Sequence, residues 1–438
     1  MCEVSETVKN VVSSLKDNPV FRMSLASKEL FHSNMLAWLL ESQNIDGLAD
    51  IFAPCDDKGN KLKDFKVLTV LREKSHFDLI IVFLPKDDYD SINNEDLLEI
   101  KDLFLNYRQP SNIELLKQLQ NDFRFAVVEN KFKSIPNKEQ LEKYDGKNEI
   151  CFIAVKEPQE NRKRRKTLFP IVLKGENTSR YLMAPKLALD NFEKHQECQK
   201  WLPLPYEKIL NVLQSKIDDT AEDFTAQFIK CYVDFLDNML QLTTDIEEKL
   251  KPTDNPAFPN PEDIRELKKI RIHDFYEKLW FSVLLNRIEI TNEDKIKKGS
   301  GYTNALGLLD FKFIGCSDLV WYGIQIQNKQ LRIVVEPKWG NKWQGEYPKK
   351  QINKYCDDIL NLMNEQLLNE QQPYTAFEFK NTKDLCSFGD FKYKYIPLYS
   401  DISIKNLESM INKAWTAIRN STLKNLTLSQ QNDNENIQ

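Results

Sequence analysis

Apolar positions along this chain recur with two periods, and the elements can be read from where one gives way to the other. FKVLTVLRE (65–73) and FDLIIVFLP (77–85) are nearly continuous apolar runs separated by a short polar break, which predicts a hairpin. The run at 123–131, ending in FAVVENK, predicts a buried strand. Pro136 then opens a helical segment, NKEQLEKYDG, which Gly146 stops, and EICFIAVKE (149–157) predicts another strand. Residues 5–44 read as helices. In ASKELFHSNMLAWLLES, Ser27 is the expected N-cap, Phe31, Met35, Trp38 and Leu39 share one face, and Glu29, His32 and Leu36 share another. Residues 86–118 are polar and without repeat, so a long connection is expected there, with one helix near 111–121. Residues 185–250 are mostly helical in pattern.

PTDNPAFPNPED (252–263) holds four prolines in twelve residues and is the expected linker between a first domain, 1–251, and a second, 264–425, before a polar tail at 426–438. The second domain alternates helical and strand patterns: a helix over 261–286, strands at 303–314, 320–327 and 331–336, a helix near 347–366, strands at 374–380 and 391–398, and a helix over 401–418. QIQNKQLRIVV predicts a hairpin turning at Asn328-Lys329.

Composition narrows the class. The chain has 438 residues, 41% hydrophobic and 29% charged, enough apolar content for two or three cores. No apolar run approaches the roughly 18–20 residues that span a bilayer. The N-terminal MCEVSETVKNVVSS has neither a basic nor an apolar leader segment, so a cytoplasmic protein without membrane attachment is expected. Eight scattered cysteines form no CxxC pair, which predicts reduced thiols; His195 and Cys198 are a lone HxxC, too few ligands for zinc. The net charge of -5 gives no global basic footprint, but Arg162 to Lys166 is a run of five basic residues suited to phosphates if it is more than a solvated loop.

The candidate chemistry sits at the end of the 123–131 strand. Alternation puts Val127, Glu129 and Lys131 on one face and Ala126, Val128, Asn130 and Phe132 on the other. Two opposite charges leaving one face of a buried strand predict a cleft with a third participant. Asp78, opening FDLIIVF, supplies a second carboxylate from an adjacent strand, and two carboxylates suit hard Mg²⁺, which keeps several waters. Lys131 would then orient or deprotonate an attacking water, or meet charge building on a phosphate. Glu336-Pro337-Lys338 repeats the ExK spacing after a second strand, with Asp318 upstream.

Asp78 followed by Glu129-Asn130-Lys131 resembles the D…(D/E)xK signature of the PD-(D/E)XK nuclease superfamily. SKELFHSNMLAWLL, with Glu29, His32 and Asn34, resembles the opening helix of a bacterial subfamily, and ENKFKSIPNKEQLEKY its strand-to-helix passage. Gln140 and Tyr144, one helical turn apart, resemble the QxxxY motif of RecB-like nucleases, and WLPLPYEKIL (201–210) is a weaker echo. The resemblance covers roughly residues 20–155. It implies an α/β restriction-endonuclease-like αβββαβ core with a mixed sheet flanked by helices. The C-terminal α+β domain gets nothing from the resemblance; the second ExK at Glu336, with Asp318 upstream, leaves a degenerate nuclease-like module open there. The resemblance implies Asp78 and Glu129 as metal ligands with the Asn130 carbonyl, and Lys131 as the catalytic lysine. Glu29 would be an auxiliary acid, and Gln140 and Tyr144 would face the substrate. The implied reaction is Mg²⁺-dependent (or Mn²⁺-dependent) hydrolysis of phosphodiester bonds, in DNA above all, and the implied role is defence against foreign DNA, phage included, or its processing. Phe77 stands where the family name has proline.

Two other classes compete: a nuclease fold kept for binding or scaffolding, and a sensor whose C-terminal domain governs the nuclease. The intact Asp78, Glu129 and Lys131 set speaks against the first, and the C-terminal sequence names no ligand for the second. Cutting both strands of a duplex often takes two sites, so a homodimer stays open, with no interface marked in the sequence.

Overall fold

In the computed structural model the described residues are 3–25, 30–42, 45, 47–55, 61–74, 76–106, 115, 118–119, 121–134, 136, 138–145, 149–153, 167–173, 177–193, 200–216, 223–290, 296–303, 306–313, 320–337, 357–361, 386–388 and 391–418. The chain divides into two compact units, Glu6–Thr243 and a second made of Met1–Ser5 with Thr244–Gln438.

The first unit is built on a mixed five-stranded sheet. The expected hairpin forms from β1 (Phe65–Lys74) and β2 (Phe77–Pro85), and β3 (Arg124–Asn130) adds to it antiparallel. A separate hairpin, β4 (Glu149–Ile153) with β5 (Thr167–Val172), precedes β6 (Thr178–Ala184). β6 lies parallel to β3, and β7 (Leu202–Pro205) lies parallel to β6, for the order β1-β2-β3-β6-β7. Every residue of β3 from Phe125 to Asn130 is buried. A strand covered on both faces needs apolar residues at every position, which is why FAVV carries no polar alternation.

Helices cover this sheet. α1 (Glu6–Asp17) runs into α2 (Pro19–Ser24), whose start is fixed by Asn18, an N-cap accepting the Phe21 N–H at 2.9 Å, and by Pro19. α3 (Leu30–Ser42) follows; Ser27 and Glu29 lie outside the described residues. Its apolar stripe is wider than expected, because His32 and Leu36 are as fully buried as Leu39. α4 (Leu48–Ile51) is a single turn.

The expected irregular connection after β2 is helical instead. α5 (Lys86–Ser91) and α6 (Asn94–Asn106) fill it, while most of 111–121 lies outside the described residues. α6 forms because Leu97, Ile100, Leu103 and Phe104 fall on one buried face and Glu95 and Asp96 complement its first turn. The acidic residues between those apolar positions hide the periodicity. The helix after Pro136 is α7 (Lys138–Asp145), and α8 (Lys186–Glu193), α9 (Tyr206–Gln214) and α10 (Phe224–Leu250) complete the helical region expected at 185–250, interrupted by β7.

The second unit carries a six-stranded sheet of order β12-β13-β11-β10-β9-β8 whose pairs are all antiparallel. Its strands are β8 (Ile296–Thr303), β9 (Leu306–Phe313), β10 (Val320–Gln327), β11 (Gln330–Pro337), β12 (Cys386–Phe388) and β13 (Phe391–Pro397). β8 was not expected, since Lys297, Lys298, Gly299 and Gly301 dilute its pattern. Asn328 and Lys329 turn the β10–β11 hairpin with φ of 50° and 53°, the left-handed pair of a type I′ turn. α11 (Pro261–Lys269) is capped by Asn260, α12 (His273–Arg287) packs on β8 and β9, and the last helix, 404–418, sets Trp415 against Phe313 with ring centroids 4.2 Å apart. Backbone hydrogen bonds from Ala257 to Ile402, at 2.8 Å, and from Ile404 to Asn255, at 3.0 Å, pin the proline-rich segment into this unit.

Candidate active site

The site forms where β3 ends. Leu79 pairs with Val128 in the β2–β3 register, so one further step sets Asp78 opposite Glu129. The Asp78 carboxylate accepts the backbone N–H of Asn130 at 2.7 Å. A carboxylate from a strand 52 residues earlier in the chain is thereby tied to the peptide between Glu129 and Lys131. Lys131, one residue past β3, closes the parallel ladder, its N–H donating to the Met183 carbonyl of β6 at 2.7 Å.

Glu129 and Lys131 do share a face. Lys131 Nζ lies 2.7 Å from Glu129 Oε1, with side chains only 9% and 2% exposed. Burying two charges is tolerated where they satisfy one another and find further hydrogen bonds. The further bond comes from α7, where Gln140 Nε2 donates to the same Glu129 oxygen at 2.9 Å and to the Tyr144 hydroxyl at 2.8 Å. Residues four apart on a helix sit one above the other, so Gln140 and Tyr144 arrive together. The structure thus gathers Asp78, Glu129, Lys131, Gln140 and Tyr144. Glu29 lies outside the described residues, as do Arg162 to Lys166, His195, Cys198, Asp318 and Lys338.

The opposite face of the same strand end anchors it. Asn130 is fully buried; its side chain accepts from the Tyr206 hydroxyl of α9 at 2.7 Å and donates to Ser33 Oγ of α3 at 3.2 Å. Phe132 packs on His32 and Tyr206, with centroids 4.1 and 4.4 Å away. His32 Nδ1 is 3.3 Å from the Tyr232 hydroxyl, and burial, then the nearby Lys133 charge, hold its imidazole well below the ordinary range. It is a neutral packing residue. Lys133 is itself buried; its ammonium donates to Ser24 Oγ at 2.9 Å and lies over the Phe21 and Phe235 rings at 5.4 and 5.1 Å.

Arg180, on β6, is the residue that sequence reasoning missed. It pairs with Val127, so it leaves the sheet on the side of Glu129, and its Nη1 donates to the Tyr144 carbonyl at 3.3 Å. A signal was present: TSRYLMA is a strand-like run bounded by Gly175 and Pro185. Tyr206 lay inside the WLPLPYEKIL echo, while nothing in the sequence singled out Ser33.

Asp78 and Glu129 fit a hard divalent cation in one respect: they are two oxygen donors brought next to one another by strand register, and Mg²⁺ asks for only one or two carboxylates when water and phosphate oxygens complete its shell. Among the described residues no group of three or more His, Cys, Asp or Glu comes together to hold a metal ion. Among them, too, no helix is long and apolar enough to cross a membrane.

Comparison with known families agrees with the geometry. The profile of the PD-(D/E)XK nuclease superfamily matches residues 20–234. No curated protein and no solved structure matches the chain. The mixed sheet flanked by helices is consistent with that superfamily's α/β fold, and all the gathered side chains, from Asp78 to Arg180, fall inside the match. Residues 20–234 of this chain belong to the PD-(D/E)XK nuclease superfamily.

Proposed function

We propose that this protein is a Mg²⁺-dependent nuclease that hydrolyses phosphodiester bonds in DNA, with Mn²⁺ able to substitute. The observation that carries this reading is the hydrogen bond from Asn130 to Asp78, which brings a second carboxylate to the Glu129–Lys131 pair. Asp78 and Glu129 would hold the cation, with the Asn130 carbonyl as a further oxygen donor and Glu29 as an auxiliary acid. When bound, such a cation supplies Lewis-acid polarisation of the phosphate and a water of lowered pKa. Lys131 would orient an attacking water in line with the scissile bond, or meet the negative charge that grows on the phosphate. Gln140 fixes the Glu129 oxygen it donates to, and with Tyr144 it forms the substrate-facing side of the cleft. No covalent enzyme intermediate is needed. Such an activity suits the restriction or processing of foreign DNA, phage DNA included, in the cytoplasm, and double-strand cutting would pair two copies of the site in a homodimer.

The test is direct. Purified protein is incubated with plasmid, linear and single-stranded DNA and with RNA, in Mg²⁺, Mn²⁺ or EDTA. DNA cleavage that requires the divalent ion and falls at least about 1000-fold in Lys131→Ala supports the reading. Cleavage undiminished in that variant, or confined to RNA, overturns it.

A further inference from the structure

We propose that Arg180 is a positioning residue, which acts through the Tyr144 carbonyl to hold α7 where Gln140 reaches Glu129. The inference deepens the nuclease reading and rests on it for its kinetic consequences.

The guanidinium of Arg180 is buried, with the residue 9% exposed. Its centre lies 5.6 Å from the Phe77 ring and 5.7 Å from the Trp201 ring, between two aromatic faces. Phe77 also packs edge-on against Tyr144, with centroids 5.7 Å apart. From this slot Arg180 donates to the carbonyl of Tyr144, in the last turn of α7. Carbonyls there have no partner within the helix and form the negative end of its dipole, so a fixed cation is well matched to them. α7 is only eight residues long, too short to persist without tertiary support. Arg180 also touches Phe77, which directly precedes Asp78, and lies beside Val127 on β3. One side chain therefore joins the start of β2, the end of α7 and the strand that presents Glu129. Filling the slot with an apolar side chain would avoid desolvating a cation. What arginine adds is a rigid fork that stacks and donates at once.

Arg180→Met keeps the stem between the two rings and removes the donor; Arg180→Ala opens the slot. With a DNA substrate and Mg²⁺, both variants should lose about 10–100-fold in kcat, as an ångström-scale misplacement does. KM should rise by less than kcat falls, because Arg180 itself touches no substrate and the substrate-facing Gln140 and Tyr144 are displaced rather than removed. Combining Arg180→Met with Gln140→Ala should cost no more than about threefold beyond the worse single change, since both act on Glu129 through one helix. Methylguanidinium should restore part of the rate to Arg180→Ala and none to Arg180→Met, whose slot is filled. Amide exchange across 138–145, which needs no turnover, should speed up in both variants while 124–130 stays protected. Wild-type exchange and kcat in Arg180→Met, multiplying losses in the double variant, or a raised KM at unchanged kcat would each overturn the proposal. A wild-type protein without turnover on any nucleic acid would remove the nuclease reading, and exchange alone would then decide whether Arg180 holds α7.

Discussion

On the five-stranded sheet, Lys131 and Glu129 lie 2.7 Å apart with 9% and 2% of their side chains exposed. On the six-stranded sheet, Lys312 lies 2.8 Å from Glu336 and 3.5 Å from Asp310, with 28%, 42% and 18% exposed. Burial pushes the Asp310 carboxyl above its usual range even though Lys312 pulls the other way. For Lys312 burial acts downward, and the hydrogen bond to Glu336 and the Asp310 charge outweigh it. Glu336 also opens a triplet with ExK spacing, as Glu129 does. The surroundings differ in two physical respects. Asn130 has a backbone N–H and spends it on Asp78, whereas Pro337, at the equivalent place, has none to give. β3 is followed in its sheet by a parallel neighbour, which requires a crossover, and the crossover delivers α7 with Gln140. β11 pairs with β13 antiparallel. Two charges spaced two apart on a strand gain their meaning from a backbone donor and a returning helix.

The sharpest way to break this comparison is to move the proline. Asn130→Pro removes the N–H that holds Asp78, and Mg²⁺-dependent DNA cleavage should fall at least about 100-fold. Pro337→Asn should leave the rate within about twofold, as expected of a position outside the machinery. Retained activity in Asn130→Pro would mean that Asp78 is held by something else. A smaller effect tests the anchoring face of β3. Tyr206→Phe deprives the buried Asn130 side chain of a donor and should cost about 1–2 kcal/mol in urea unfolding, seen also as a Tm lowered by about 2–8 °C.

The smallest effect concerns pH. His32 is neutral in the fold because burial, and then Lys133, hold it well below 6.5. The unfolded chain takes up that proton first, so stability is lost as pH falls through about 6.5 toward the folded value. Thermal melts at pH 7.5 and 5.5 should show that fall, and His32→Phe should make it shallower. An equal fall in the variant would assign the acid sensitivity elsewhere.

Local signals in the sequence carried much of the fold and the carboxylate–lysine set. The β1–β2 hairpin, β3, α7 and the Asn328-Lys329 turn each announce themselves within a dozen residues, through apolar runs, Pro136 and turn chemistry. Alternation put Glu129 and Lys131 on one face, whereas Gln140 and Tyr144 were singled out by their resemblance to the QxxxY motif. What stayed hidden depends on pairing over distance. Nothing local says that β6 will lie parallel to β3, and without that neighbour Arg180 has no reason to be noticed. α6 was hidden differently, its buried Leu97, Ile100, Leu103 and Phe104 being outnumbered by charge in the same window.

β7 carries a consequence for assembly. Its four residues, Leu-Pro-Leu-Pro, form one rim of the five-stranded sheet. Pro203 and Pro205 have no amide hydrogens, so that rim cannot zip to a further strand. Growth of this sheet by a visiting chain is closed on that flank, and among the described residues a strand added to the five-stranded sheet would have to engage its far border at β1.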